Sequence, residues 1–340
     1  MGIKAFISGC AGLELTSDEV SFFKNEKPWG LILFARNCET PEQITDLVES
    51  FRQAVSNPKS PVLIDQEGGR VQRLKPPIWQ QYCPSIQFDH LFQEDPDSAR
   101  RASWLQARLI AHDLHSLGIN VDCLPVLDVP QQGADLIIGD RAYSNEPKVI
   151  SDLAKNAISG LMDGGVLPIM KHIPGHGRAL CDSHLDLPVV NTSIEDLKAT
   201  DFAPFKTLSD TPLAMTAHIV YTQIDKTNPA THSPTIIKDI IRSEIGFEGA
   251  LMSDDLSMQA LKGSLAERTK KTFSAGCDLA LHCNGIFEEM CEVASNSPIL
   301  QGPALTRTNA AISLLKTPDP LDEKSAREEL DLLLDPLSGP

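Results

Sequence analysis

The 340 residues contain no run near the ~18 consecutive apolar positions that a membrane-spanning helix requires. Positive charge is also scarce: 30 Lys and Arg stand against 46 Asp and Glu, a formal net charge of -16. Nucleic acids and anionic membranes select basic patches, so neither is expected as a partner. The eight cysteines (10, 38, 83, 123, 181, 277, 283 and 291) form no CxxC and no regular spacing. They read as reduced, mostly buried thiols in a reducing compartment rather than a disulfide framework. Neither GxGxxG nor GxxxxGK[ST] follows any apolar run, which weakens a nucleotide-binding reading. Ile7-Ser8-Gly9-Cys10 mimics a lipoprotein cleavage box, but nine preceding residues are too few for a charged region plus an apolar core. A first strand and a cytoplasmic location are the expectation. Internal repeats, low-complexity blocks and interdomain linkers are missing as well.

What is present is alternation. Short apolar runs occur at AFISG near residue 5, GLILFA from Gly30, PVLID from Pro61 and INVDCLP from Ile119. The series continues with GVLPIM from Gly165, PLAMTAH from Pro212, GALMSD from Gly249 and CDLALHC from Cys277. Amphipathic stretches separate them. Thr40 and Pro41 open a helix with Ile44, Leu47, Val48, Phe51 and Val55 on one face. Ile150, Leu153, Ala154, Ala157, Ile158 and Leu161 make another stripe, which Gly164 and Gly165 end. Ser233 and Pro234 open a third, holding Ile236, Ile237, Ile240, Ile241 and Ile245. Eight strand–helix units predict a parallel α/β architecture, a closed (β/α)8 TIM-type barrel over residues 1–340 as a single domain. The stretch 75–100 reads as a long loop with a short helix, and residues from about 316 as a C-terminal helix and tail.

Catalytic groups in such a barrel come from the C-terminal ends of several strands. The third run delivers Asp65, Glu67, Arg70 and Arg73; the region after the fourth delivers Asp128, Asp140 and Arg141. The fifth leads into KHIPGHGRALCDSH, where Pro174, Gly175 and Gly177 bar a helix or regular strand around Lys171, His172, His176, Asp182 and His184. The sixth gives His218 and the seventh Asp254 and Asp255. Structural readings stand beside the functional ones. Glu67 and Arg70 are placed for an ion pair, His218 for a hydrogen-bonded core position, and one of Asp254 and Asp255 for capping at Leu256. A buried Lys171 needs a partner. Zinc on His172, His176 and His184 is the metal alternative, but the first two share a face only on a helix, which Pro174 forbids; no metal is expected.

KHIPGHG with DSH, DQEGGRVQRL, GDR and MSDDLSM resembles the family 3 glycoside hydrolases. Within them it is similar to the single-domain cytoplasmic β-N-acetylglucosaminidases (β-hexosaminidases) of bacterial peptidoglycan recycling. The likeness runs from about Gly30 to Asn284, with the motifs in the same order. Ile173 departs from it, standing where an aromatic is more usual. The resemblance implies Asp254 as nucleophile, His184 as general acid/base and Asp182 as its orienting partner. It implies Asp65, Arg73, Arg141, Lys171 and His172 as the residues holding a non-reducing N-acetylglucosamine. The implied substrate is N-acetylglucosaminyl-β-1,4-anhydromuramic acid and its peptide-bearing forms, with no cofactor and a monomeric enzyme.

The residues themselves fit retaining chemistry: an ionised Asp254 attacks, and His184 protonates the leaving oxygen and then activates water. Gly175 and Gly177 are expected to let the Asp182–His184 loop close over bound sugar. A phosphorylase, a substrate-assisted hydrolase, a catalytically dead sugar-binding protein and a metal-dependent hydrolase are the alternatives. Product analysis with and without phosphate, and turnover in the presence of chelator, separate them.

Overall fold

The computed structural model describes residues 2–183 and 186–335. Each of the eight apolar runs overlaps one barrel strand. These are β1 Lys4–Ser8, β2 Pro28–Leu33, β3 Val62–Ile64 and β4 Val121–Asp122, then β5 Leu167–Ile173, β6 Leu213–Thr216, β7 Ala250–Asp255 and β8 Leu279–His282. The fifth strand continues through Lys171 and His172, in the segment expected to bar one. All pair in parallel with their neighbours in chain order, and the ring closes where Phe6 of β1 meets Ala280 of β8. The closed (β/α)8 barrel expected from the sequence is the fold.

Strand alternation sorts the side chains into two apolar shells. Ile32, Leu63, Met215, Met252 and Leu279 point into the barrel, where they pack as one cluster. Leu31, Val62, Ile64, Leu251 and Ala280 point outward and pack under the helices. Both faces of every strand are therefore buried, which is why the strands read as continuous apolar runs rather than as alternating ones.

Helix Pro41–Val55 forms as its stripe requires: Thr40 Oγ1 accepts from the Gln43 amide, and Ile44, Leu47, Val48, Phe51 and Val55 are buried. Helix Pro147–Asp163 buries Ile150, Leu153, Ala154, Ala157 and Leu161, while Ile158 is half-buried. The segment Ile236–Glu244 winds more widely than an α-helix, with Ser233 Oγ capping the Ile236 amide. In the stretch 75–100, expected as a long loop with a short helix, the short helix is Ile86–Glu94, and a second, Pro96–Ser116, begins at its end. Asp95 caps the second by accepting from the amides of Asp97 and Ser98, a signal the Pro- and Asp-rich composition concealed. The eight cysteines are all free thiols, four of them buried.

The C-terminal helix, Glu323–Leu334, is docked. Ala326 and Leu330 are buried against the barrel's outer layer. Arg327 Nη2 meets Asp113 Oδ1 at 2.8 Å, and Tyr82 Oη donates to Asp113 Oδ2 at 2.5 Å. Arg101 grips Glu329 through two bonds of 2.7 and 2.8 Å. Removing one partner of a buried charge pair exposes the cost of the other. Arg327→Ala should therefore destabilise the protein by about 2 kcal/mol in urea unfolding, with turnover per folded molecule unchanged.

Candidate active site

At the C-terminal ends of the strands lies a cavity of about 340 Å³, within the range of small-molecule sites. Asp65, Arg73, Arg141, Lys171, His172 and Asp254 all line it, so six of the eight residues singled out from sequence converge there. Asp182 is half-exposed on the loop after β5 and does not line the cavity; its neighbour Ser183 does. His184 lies outside the described residues.

β3 ends at Ile64, and the chain folds at once into a short hairpin, Gln66–Gly68 against Val71–Gln72. Gly68 has φ 97°, and a Cβ there would lie 2.4 Å from the Cys83 carbonyl oxygen, so the turn demands glycine. The hairpin brings Asp65 and Glu67 beneath the cavity, where Lys171 of β5 joins them. Lys171 Nζ lies 2.9 Å from Asp65 Oδ1 and 2.6 Å from Glu67 Oε1. Arg73 Nη2 donates to Asp65 Oδ2 at 2.9 Å, and Arg141 holds both oxygens of Glu67 at 2.8 Å. Lys171 and Glu67 are each only 2% exposed. The Glu67–Arg70 pair that the spacing allows is not the one formed: Arg70 turns outward to Asp140, at 2.9 Å. Glu67 belongs with Asp65 because residues two apart on an extended chain share a face, a signal the i,i+3 reading overlooked.

Burial alone would push the Glu67 carboxyl up. The Arg141 and Lys171 cations outweigh it and hold that carboxyl down at about 2. Asp65 is likewise driven well below the ordinary carboxylate range, burial being outweighed by Lys171 and Arg73. Lys171, which burial would deprotonate, is instead held charged by Asp65 and Glu67. Three cations and two carboxylates thus leave one positive charge in excess in this cluster. Arg73 Nε, fully buried, has no hydrogen-bond partner among the described residues.

His172 is set by Asp128, whose role the sequence did not disclose. Asp128 Oδ2 lies 2.7 Å from His172 Nδ1, and Oδ1 accepts from the His172 and His176 amides at 3.2 and 2.6 Å. Burial raises the Asp128 carboxyl, but His172 and these amides together bring it below its ordinary value. An ionised Asp128 fixes the proton on His172 Nδ1 and leaves Nε2 to meet a ligand.

These features agree with what comparison with known proteins finds. Residues 9–305 match the family model described as glycosyl hydrolase family 3 N terminal domain. The chain belongs to this family. A β-hexosaminidase of Alkalilimnicola ehrlichii is 37% identical over 280 residues, 81% of this chain and 79% of the relative. One from Actinobacillus pleuropneumoniae is 35% identical over 316 residues, covering 89% and 87%. Among solved structures, NagZ of Neisseria gonorrhoeae in complex with N-trifluoroacetyl-D-glucosamine superposes with a TM-score of 0.87 at 30% identity, over 98% of this chain and 99% of that one. A family 3 β-N-acetylglucosaminidase of Paenibacillus sp. FPU-7 gives 0.85 at 26% identity, over 97% of this chain and 66% of that one. The protein is therefore a glycoside hydrolase.

In this family 3 barrel the end of β7 carries two aspartates with different surroundings. Asp255 accepts from the Ser257 and Cys283 amides and from Ser257 Oγ, which ties it into a turn. It does not cap a helix at Leu256, since the next helix is Leu265–Ala275. Asp254 faces the cavity and accepts the Asp255 amide at 2.8 Å. His218 is the hydrogen-bonded core histidine the sequence allowed: Nδ1 is 2.7 Å from Thr231 Oγ1 and Nε2 donates to the Asp255 carbonyl at 3.0 Å. Burial lowers its pKa and keeps the ring neutral. It steadies the strand end that presents Asp254.

The base of the loop after β5 is held by a set of hydrogen bonds. Tyr221 Oη donates to the Gly175 carbonyl, Gln131 N to that of Gly177, and Asp135 N to that of Ala179. Arg178 is held by Asp201 at 2.7 Å and by Thr200 at 2.8 Å. A Cβ on Gly177 would sit 2.0 Å from the Val129 carbonyl oxygen, and Gly175 has φ 142°. Close packing and backbone conformation demand glycine at both positions.

The carboxyl of Glu67 gives a pH prediction. Its folded pKa lies below its unfolded one, so its contribution is complete above about pH 4.5 and is lost as pH falls from there toward 2. Urea unfolding should show wild-type stability declining through that window. Glu67→Gln, which has no such proton to take up, should show a shallower decline there, the difference amounting to up to about 3 kcal/mol.

Proposed function

We propose that the protein is a retaining exo-β-N-acetylglucosaminidase. Its substrate would be β-1,4-linked N-acetylglucosaminyl-anhydromuramic acid and its peptide-bearing forms, cleaved in the cytoplasm during cell-wall recycling by a monomeric enzyme. The observation that carries this reading is the placement of Asp254 at one wall of a sugar-sized cavity that also holds the Asp65–Lys171–Arg73 cluster and an oriented His172. Support for the N-acetylhexosamine comes from the similarity to β-hexosaminidases and to a NagZ structure holding an N-acylated glucosamine.

A pyranose offers hydroxyls that both donate and accept. The Asp65 carboxylate accepts from them, while Lys171, Arg73 and His172 Nε2 donate, orienting the ring with its anomeric carbon toward Asp254. Asp254 attacks that carbon as the bond to the leaving oxygen breaks. His184, oriented by Asp182, gives its proton to the departing oxygen. The covalent glycosyl-enzyme is then opened by water, which His184 deprotonates, and the Asp254 carboxylate is released with the anomeric configuration retained.

The test is release of 4-nitrophenol from its N-acetyl-β-glucosaminide in phosphate-free buffer with chelator. Wild type should turn over, and Asp254→Asn should lose roughly 10³-fold or more in kcat. Equal turnover by both would remove Asp254 from the nucleophile's role. Appearance of sugar 1-phosphate on adding orthophosphate would change the assignment to a phosphorylase.

A further inference from the structure

Beyond the pinned base, the loop after β5 turns outward and then back. Leu180 is 72% exposed, and Cys181 and Asp182 are partly so. At Ser183 the chain returns to the interior, with that residue only 3% exposed and lining the cavity. Ser183 Oγ lies 3.1 Å from His176 Nε2.

His176 is itself anchored from two sides. Its amide donates to Asp128, and its ring stands edge-on to His172, with centroids 5.5 Å apart at 61°. Burial lowers the His176 pKa to about 4, so the ring is neutral near pH 7. The contact to Ser183 is therefore a single neutral hydrogen bond at a buried, fixed position. Only residues 180–182 lie between it and the last pinned carbonyl, Ala179.

We propose that His176 and Ser183 are positioning residues for the general acid: their hydrogen bond clamps the distal end of the loop, and with it the stretch of backbone that carries the Asp182–His184 pair. This inference rests on the reading of His184 as acid/base. Ser183 sits between the two dyad residues in sequence, so displacing its Cα moves both. His176 also shares Asp128 with His172, which joins the sugar-holding wall directly to the loop that delivers the proton. Neither residue exchanges a proton with substrate.

A misplaced acid harms cleavage only where the leaving oxygen needs its proton. The experiment compares kcat/KM on two N-acetyl-β-glucosaminides, one with a 2,4-dinitrophenyl and one with a simple alkyl leaving group. For Ser183→Ala, we expect a loss of about 100-fold on the alkyl glycoside and less than about threefold on the dinitrophenyl one. His176→Phe, which keeps a ring edge against His172 but has no ring nitrogen, should give the same split. Because each variant is compared with itself on two substrates, the ratio is independent of the fraction folded. An equal loss on both substrates, or no loss on either, would overturn the proposal. A wild-type enzyme that cleaves neither substrate would instead overturn the functional reading on which it rests.

Discussion

Lys171 is the group on which the site depends. Its ammonium is almost wholly buried at the top of the barrel, and it is held there only because Asp65 and Glu67 approach within 2.9 and 2.6 Å. Those carboxylates are in turn steadied by Arg73 and Arg141. Desolvation offsets most of the Coulombic gain in such clusters, so they add little net stability. Their contribution is geometric. Donors and acceptors are fixed before a ligand arrives, and little reorganisation is left for the reaction itself.

The barrel makes this arrangement possible by separating tasks between strands. β3 and its hairpin supply the carboxylates, β5 supplies Lys171 and His172, and β7 supplies Asp254. The apolar cluster inside the barrel, with Ile32, Met215 and Leu281 reaching the cavity, forms the apolar part of its lining. Buried helpers hold the reactive groups without lining the cavity: Asp128 orients His172, and His218 holds the backbone beside Asp254. Such supporting contacts restrict the rotamers of the groups that meet a ligand.

Much of this was legible in the sequence, and the reasons are physical. A strand buried on both faces writes a continuous apolar run, so all eight barrel strands could be located. Polar residues at the ends of those runs, Asp65, Lys171 and Asp254 among them, had few structural reasons to be there. Partnerships were less legible. Glu67 sits three residues from Arg70, yet its partners are 74 and 104 positions away, on the following βα units of the barrel, where sequence proximity carries no information. Asp128 was visible as a residue but not as the orienter of His172. Ser183 carries no signal of its own, being an ordinary serine until the loop brings it to His176. At Gly175 and Gly177 the sequence did not disclose the close packing and backbone conformation that demand glycine, since a glycine needed for space and one needed for motion are written the same way.

The most direct measurement is a crystal structure of the protein with N-acetylglucosamine bound. The account predicts the sugar in this cavity, with ring hydroxyls on Asp65, Lys171 and His172 Nε2 and the anomeric carbon about 3–3.5 Å from an oxygen of Asp254. A sugar bound elsewhere, or one in this cavity with its anomeric carbon turned away from Asp254, would contradict it.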